Sequence, residues 1–380
     1  MAKRVVVLTL VLLLAFPLAT RADSPAVEIA SDSAVLIDAL SGQTVFAKNE
    51  DVRRSPASLT KIMTLVVAFE AIDAGKVSLQ DKAMASPEAC RLGGTQVYAK
   101  PGEVFTLEEW LRAVAIGSAN DASVVVAEHI GGTEQRFAQM MNETASRLGM
   151  HDSNFMNSHG LDEEGHYTTA RDMAILGSYA CKFPGLLQMT GTYQSSFRDG
   201  TFGLDNRNKL VRFYTGCDGL KTGHTDEALY CLVATAKRQD TRFVSAVMGG
   251  SSSDERFADA RRLLDYGFAN YSSALLAECD RPLVDVKVYG GSTPQVSVVV
   301  EKVAAVTVPK GAQEKIERQI VVSEGYKAPL KKGDALGELI VSLEGEQLAS
   351  FALVAEQSVP KAGVPTLMVR FMKRVLCLYW

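Results

Sequence analysis

Histidine and tryptophan are scarce in this 380-residue chain, with five and two copies. His151, His159 and His166 are spaced too irregularly for a ligand set, and neither a Cys-x-x-Cys pair nor a His-rich metal spacing occurs. No metal or cofactor is therefore expected. Excess positive charge is also lacking. The formal net charge is −4 and no basic cluster lies outside the C-terminal tail, which excludes electrostatic capture of nucleic acid. The one long apolar run, Val5 to Leu18, is too short to cross a bilayer. Lys3-Arg4 precedes it and Thr20-Arg21-Ala22 offers a small-x-small cleavage site, so residues 1–22 read as a secretory signal peptide. An uncleaved anchor is the alternative. No cysteine sits near the cleavage site, which argues against a lipoprotein. The six cysteines, Cys90, Cys181, Cys217, Cys231, Cys279 and Cys377, suit an oxidising compartment, but their spacing shows no framework.

Three short words stand out against this ordinary globular composition of 47% hydrophobic and 22% charged residues. They are Ser58-Leu59-Thr60-Lys61, Ser118-Ala119-Asn120 and Lys221-Thr222-Gly223. Together they supply a nucleophile, an amine to act as its base, a second hydroxyl, an amide and a second cation. That set suits attack on a carbonyl and stabilisation of the resulting oxyanion. S-x-x-K alone is weak: a second copy stands at Ser358-Val359-Pro360-Lys361, where the proline forbids a helix. Ser58 has a different setting. Ser55-Pro56 reads as an N-cap with proline at the first helical position, and Ile62 to Ile72 is apolar on nearly all sides, as in a central buried helix ended by Gly75. Lys61 then falls one turn beyond Ser58, on the same face.

The second word has its own frame. Thr106-Leu107-Glu108-Glu109 is a capping box opening a helix that runs to Ile116, ended by Gly117, with Asp121 as cap of the next helix. Ser118 and Asn120 are thus expected on a tight loop between helices. The third word opens an antiparallel meander: Lys221 to Thr225, Leu229 to Thr235 and Arg242 to Met248. Gly223 would let a ligand approach the strand closely.

Ala34 to Asp38 and Thr44 to Ala47 read as a hairpin around Ser41-Gly42, and a helix from Asp254 to Phe268 closes the first domain. The order of strands and helices has no βαβ rhythm, so the expected class is α+β with an antiparallel sheet flanked by helices. Beyond Tyr271 come short β-type runs, Val284 to Tyr289, Gln295 to Val300, Val303 to Val308, Arg318 to Val322 and Glu338 to Leu343, which suggest a small all-β domain. The expected division is 1–22 signal, 23–272 catalytic domain, 280–362 β-rich domain and 363–380 amphipathic helix. In that last segment Arg370, Lys373 and Arg374 recur at helical spacing among apolar residues, as in an interfacial anchor. A helix packed on its own protein is the alternative.

In these words, and in Asn157-Ser158-His159-Gly160-Leu161, Tyr167 to Asp172, Asn206-Arg207-Asn208 and Asp218 to Thr225, the chain resembles the serine-type D-alanyl-D-alanine carboxypeptidases, the low-molecular-mass penicillin-binding proteins of peptidase family S11. The resemblance covers nearly the whole length. It implies a β-lactamase/transpeptidase-like domain followed by a β domain and a membrane-associated C-terminus, on the outer side of the cytoplasmic membrane. It further implies that Ser58 attacks the penultimate D-alanine carbonyl of a peptidoglycan stem peptide, with Lys61 as base. Ser118 relays a proton, Asn120 holds the acyl amide, and the backbone N–H groups of Ser58 and His224 form the oxyanion hole. Lys221, Thr222 and an arginine, Arg256 or Arg207, meet the terminal carboxylate beside Gly223. β-Lactams are the expected inhibitors.

Two rival functions are set against this. A β-lactamase is disfavoured by S-A-N in place of S-D-N, by the absence of a Glu-x-x-Leu-Asn word, and by the extra domain. A catalytically silent wall-binding or penicillin-sensing protein is disfavoured by the intact catalytic words.

Overall fold

The computed structural model describes residues 27–375, so the expected signal peptide and Cys377 lie outside the described residues. A five-stranded sheet forms the centre of the first domain, in the order Thr44–Lys48, Ser33–Asp38, Thr241–Gly250, Leu229–Arg238, Cys217–Thr225. Every pairing in it is antiparallel. Side chains alternate across the sheet with a period of two. Cys231 and Val233 face one core, with the helix Thr60–Asp73; Leu232, Ala234 and Ala236 face the other, with the helix Ser253–Asn270.

Thr60–Asp73 is the central helix that its all-round apolar sequence predicts. Ten consecutive residues, Thr60 to Phe69, are buried, each aliphatic one contributing about 1.5–3 kcal/mol. Its entry differs from expectation. A 3₁₀ turn, Ala57–Leu59, precedes it, and Ser55 does not cap it. The Ser55 hydroxyl donates instead to Asp162 Oδ1 at 2.6 Å. The Thr106 capping box forms as read. The helix it opens ends at Arg112 and passes into a π-helical turn, Ala113–Gly117, after which Ser118 adopts a left-handed φ of 63°. Such turns concentrate at functional sites.

The second domain is all β. Its six-stranded sheet runs Ile316–Val322, Ala335–Leu343, Glu346–Ala355, Gln295–Val300, Val284–Tyr289, Gly325–Lys327, accompanied by a two-stranded ladder of Tyr271–Ala277 with Ala304–Pro309. One pairing, Val284–Tyr289 with Gly325–Lys327, is parallel. The strands Tyr271–Ala277 and Glu346–Ala355 carry no period-two signal clear enough to stand out in the sequence. The first of them starts at the end of the Ser253–Asn270 helix and places Leu276 and Ala277 in the second domain's core.

A helix, Val364–Val375, follows this domain. Val364, Met368, Val369, Phe371 and Met372 are exposed on it. Arg370 departs from the expected basic face: its guanidinium donates to the carbonyls of Gly291 at 2.8 Å and Ser292 at 2.6 Å. Among the described residues no helix is long and apolar enough to cross a membrane. The second S-x-x-K word is not helical, and Lys361 pairs by a β-bridge with Gly291.

Candidate active site

Lys61 organises the site. It is fully buried, and its Nζ lies 3.0 Å from Ser58 Oγ, 2.7 Å from Asn120 Oδ1 and 2.6 Å from the carbonyl of His159. Burial pushes its pKa well below the usual lysine range, and the charge of Lys221 adds to the effect while Asp121 opposes it. The shift favours the neutral amine form over the ammonium.

The first two words thus meet through Lys61. Asn120 is the first residue of the helix Asn120–Gly131, and that helix has no side-chain cap. Its amide is oriented at both ends: Oδ1 accepts from Lys61, and Nδ2 donates to the Gly93 carbonyl at 2.8 Å. One Nδ2 hydrogen remains for a substrate. Asp121 is not the cap expected. Its buried carboxylate accepts from the N–H of the next residue, Ala122, at 2.9 Å, and from the backbone N–H groups of Val97 at 3.2 Å and Ala99 at 2.9 Å, holding the neighbouring loop. Ser118 is buried, on the turn two residues before Asn120.

The third word lies on the edge strand Cys217–Thr225, which packs on the nucleophile turn. Gly223 explains how. A Cβ there would stand 3.0 Å from the Pro56 carbonyl and 3.2 Å from Ala57 Cβ. The missing side chain therefore serves the approach of the strand to the Ser58 turn. Lys221 is buried with its Nζ 2.9 Å from the Thr222 carbonyl, and Thr222 is buried beside it. Burial first, then the charges of Arg256 and Arg207, lower the Lys221 pKa to about 7. His224 is exposed, its ring against Tyr230 at 4.2 Å.

The two arginines stand differently. Arg256 is buried, donates to the Gly223 carbonyl at 2.8 Å and the Cys231 carbonyl at 3.3 Å, and lies over the Tyr230 ring. It braces the strand and adds positive potential. Arg207 is exposed between two buried asparagines. Asn206 Nδ2 bonds the Thr190 and Thr192 carbonyls, and Asn208 Nδ2 bonds Gly219 at 2.8 Å, so the flanking pair fixes the loop that presents Arg207.

The three words do not reveal the segment between Asn157 and His166. His159 offers its carbonyl to Lys61, and Ser158 offers its carbonyl to Thr64 Oγ1 at 2.6 Å. Asp162 Oδ1 accepts from both Ser55 Oγ at 2.6 Å and Thr225 Oγ1 at 3.0 Å, tying the nucleophile turn to the edge strand. The signal was the Asn157-to-Leu161 stretch. Its fit to the family was visible, its contacts were not.

Comparison with known proteins agrees with this geometry. The peptidase S11 family, D-alanyl-D-alanine carboxypeptidase, matches residues 19–252, and the C-terminal domain of penicillin-binding protein 5 matches residues 271–361. The chain is 39% identical to the D-alanyl-D-alanine carboxypeptidase DacF of Bacillus subtilis, over 90% of this chain and 88% of that one. It is 32% identical to DacA of Escherichia coli, over 88% and 85%. Penicillin-binding protein 5 from Haemophilus influenzae superposes with a TM-score of 0.79 at 31% identity, covering 89% of this chain and 99% of that one. The chain belongs to peptidase family S11, and is a serine D-alanyl-D-alanine carboxypeptidase of the penicillin-binding proteins.

Proposed function

We propose that Ser58 is the nucleophile and Lys61 its base, acting on peptidoglycan stem peptides that end in D-Ala-D-Ala. The observation that carries this is the 3.0 Å contact between Lys61 Nζ and Ser58 Oγ, at a lysine whose ammonium form burial disfavours. Ser58 Oγ forms a bond to the penultimate D-alanine carbonyl carbon as its proton passes to Lys61. The oxyanion is met by the backbone N–H groups of Ser58 and His224. Collapse breaks the C–N bond, and the departing amine of D-alanine takes its proton through Ser118. Water then cleaves the ester and regenerates Ser58.

Substrate binding follows from the remaining groups. The free Nδ2 hydrogen of Asn120 meets the acyl amide. Lys221, Thr222 and the positive potential of Arg207 and Arg256 receive the terminal carboxylate, which in turn favours protonated Lys221. β-Lactams acylate the same serine. The exposed apolar side chains of the Val364–Val375 helix support a peripheral membrane anchor at the C-terminus, on an exported protein. The test is Ser58→Ala, assayed for D-alanine release from a Lys-D-Ala-D-Ala peptide and for labelling by a fluorescent penicillin. Both should vanish, and labelling that survives would overturn the assignment.

A further inference from the structure

Ala57, immediately before Ser58, has a left-handed φ of 45°, a conformation that strains a non-glycine residue. A directional chain of hydrogen bonds holds it. The N–H of Met156 donates to His166 Nδ1 at 3.3 Å, so the ring proton sits on Nε2. His166 Nε2 is 2.9 Å from Thr60 Oγ1 and donates to it. The Thr60 hydroxyl is thereby left to donate its own proton, which goes to the Ala57 carbonyl at 2.8 Å. The Thr60 backbone N–H reaches the same oxygen. Thr60 and His166 are both buried.

The Ala57–Ser58 peptide is rigid and planar, so its N–H points opposite to its carbonyl. Pinning the Ala57 oxygen inward aims the Ser58 N–H outward. A flipped peptide would bring that N–H towards a hydroxyl already committed as a donor, and would withdraw the carbonyl it bonds. We infer that Thr60 and His166 are positioning residues: through the Ala57 carbonyl they select the peptide orientation in which the Ser58 N–H serves the oxyanion hole. This rests on the assignment of Ser58 as nucleophile. The two middle letters of Ser58-Leu59-Thr60-Lys61 are then not equivalent, since Thr60 has a task and Leu59 is core.

The test compares Thr60→Val, Thr60→Ser and His166→Phe with the unaltered enzyme. Removing a whole oxyanion donor costs about 10²–10³ in rate, and misaiming one should cost less. Thr60→Val is expected to slow acylation by penicillin and kcat for the peptide by about tenfold or more, with KM within about threefold. Thr60→Ser, which keeps the hydroxyl, should recover most of the rate. A second readout separates aim from general damage: the rate ratio between a peptide with an ordinary scissile amide and its thioamide analogue. A misaimed hole discriminates less between oxygen and sulfur, so the ratio should shrink in Thr60→Val and in His166→Phe. If Thr60→Val does not fold, His166→Phe carries the same comparison. A folded variant with the unaltered rate and ratio overturns the inference. Penicillin labelling of Ser58→Ala would instead overturn the reading on which it rests.

Discussion

Gly160 lies against Ala57 so closely that a Cβ on it would stand 1.8 Å from the Ala57 carbonyl oxygen and 2.8 Å from Thr60 Oγ1. Its φ of 87° is also one that a side chain disfavours. The nucleophile turn and the segment between Asn157 and His166 are thus packed backbone to backbone. The oxygen that Gly160 covers belongs to the peptide that precedes Ser58. Contact at this range leaves no slack for that peptide to rotate.

Gly160→Ala is therefore expected to damage the site more than a methyl group usually does. Left-handed strain of about 1–2 kcal/mol and overpacking of about 1–3 kcal/mol act at the same place. Penicillin acylation should fall at least tenfold and the thermal midpoint should drop by several degrees. Stopped-flow labelling and a melting curve check both. An alanine variant with unaltered acylation would mean that the turn can move away without cost to chemistry.

A second prediction concerns Lys221, whose folded pKa is lowered to about 7 from the 10.5 of a free lysine. Below pH 7 it is charged in both folded and unfolded chains, and the folded protein bears the whole penalty of burying that charge. Between pH 7 and about 10.5 the folded protein releases the proton first, and stability gains with rising pH. The full penalty is on the order of 5 kcal/mol. Lys221→Met, which keeps the apolar stem and removes the charge, should raise the thermal midpoint most at pH 6. The gap should narrow towards pH 10, while peptide turnover is lost. A variant less stable than the unaltered protein at pH 6 would contradict this.

Much of the site was legible because its chemistry is local in sequence. Ser58 and Lys61 are one turn apart, and an apolar run as continuous as Ile62 to Ile72 has few alternatives to a buried helix. The β-meander showed through alternation, although its strands extend to Cys217, Arg238 and Gly250. Legibility failed where a residue's role is set by a partner distant in the chain. Ser55 has the form of an N-cap, yet its hydroxyl turns to Asp162, 107 positions away. Asp121 likewise keeps a bond to the first-turn N–H of Ala122, but its carboxylate also ties down the N–H groups of Val97 and Ala99, more than twenty positions away. Glu346–Ala355 is strand although Leu, Ala and Glu favour helix in isolation, because its ladder with Ala335–Leu343 decides.

Asp38 yields a prediction about how the two domains hold together. It is fully buried at the end of the strand Ser33–Asp38, and its Oδ2 accepts from Ser273 Oγ at 2.8 Å and from Thr307 Oγ1 at 2.7 Å. Those two hydroxyls stand on paired strands of the second domain's ladder. Asp38→Ala strands the Ser273 hydroxyl, leaves the Thr307 hydroxyl with Ser41 Oγ alone, and should cost about 2–4 kcal/mol. Turnover of a soluble peptide should stay within about threefold, since no catalytic group touches Asp38. Differential scanning calorimetry and limited proteolysis near residue 280 read the two effects. Unchanged melting would show that the hydroxyls find other partners.

The C-terminal helix gives the last prediction, and Arg370 alters its form. Because that guanidinium is held by the Gly291 and Ser292 carbonyls, it acts as a hinge pin between helix and domain rather than as a headgroup ligand. The sequence's other two basic residues in this segment, Lys373 and Arg374, would each add roughly 1 kcal/mol near an anionic surface. The apolar side chains Met368, Phe371 and Met372 would supply the rest of the binding through burial in the interface. A chain ending at Gly363 should therefore keep full peptide turnover and lose binding to anionic liposomes. High salt should release the full-length protein only in part, because burial is not screened. Arg370→Ala should leave binding to liposomes nearly intact while loosening the helix from the domain, seen as faster proteolysis after Lys361. Co-sedimentation of the three proteins decides. Equal binding by the truncated chain would place the anchor elsewhere, and loss of binding in Arg370→Ala would restore that arginine to the lipid-facing set.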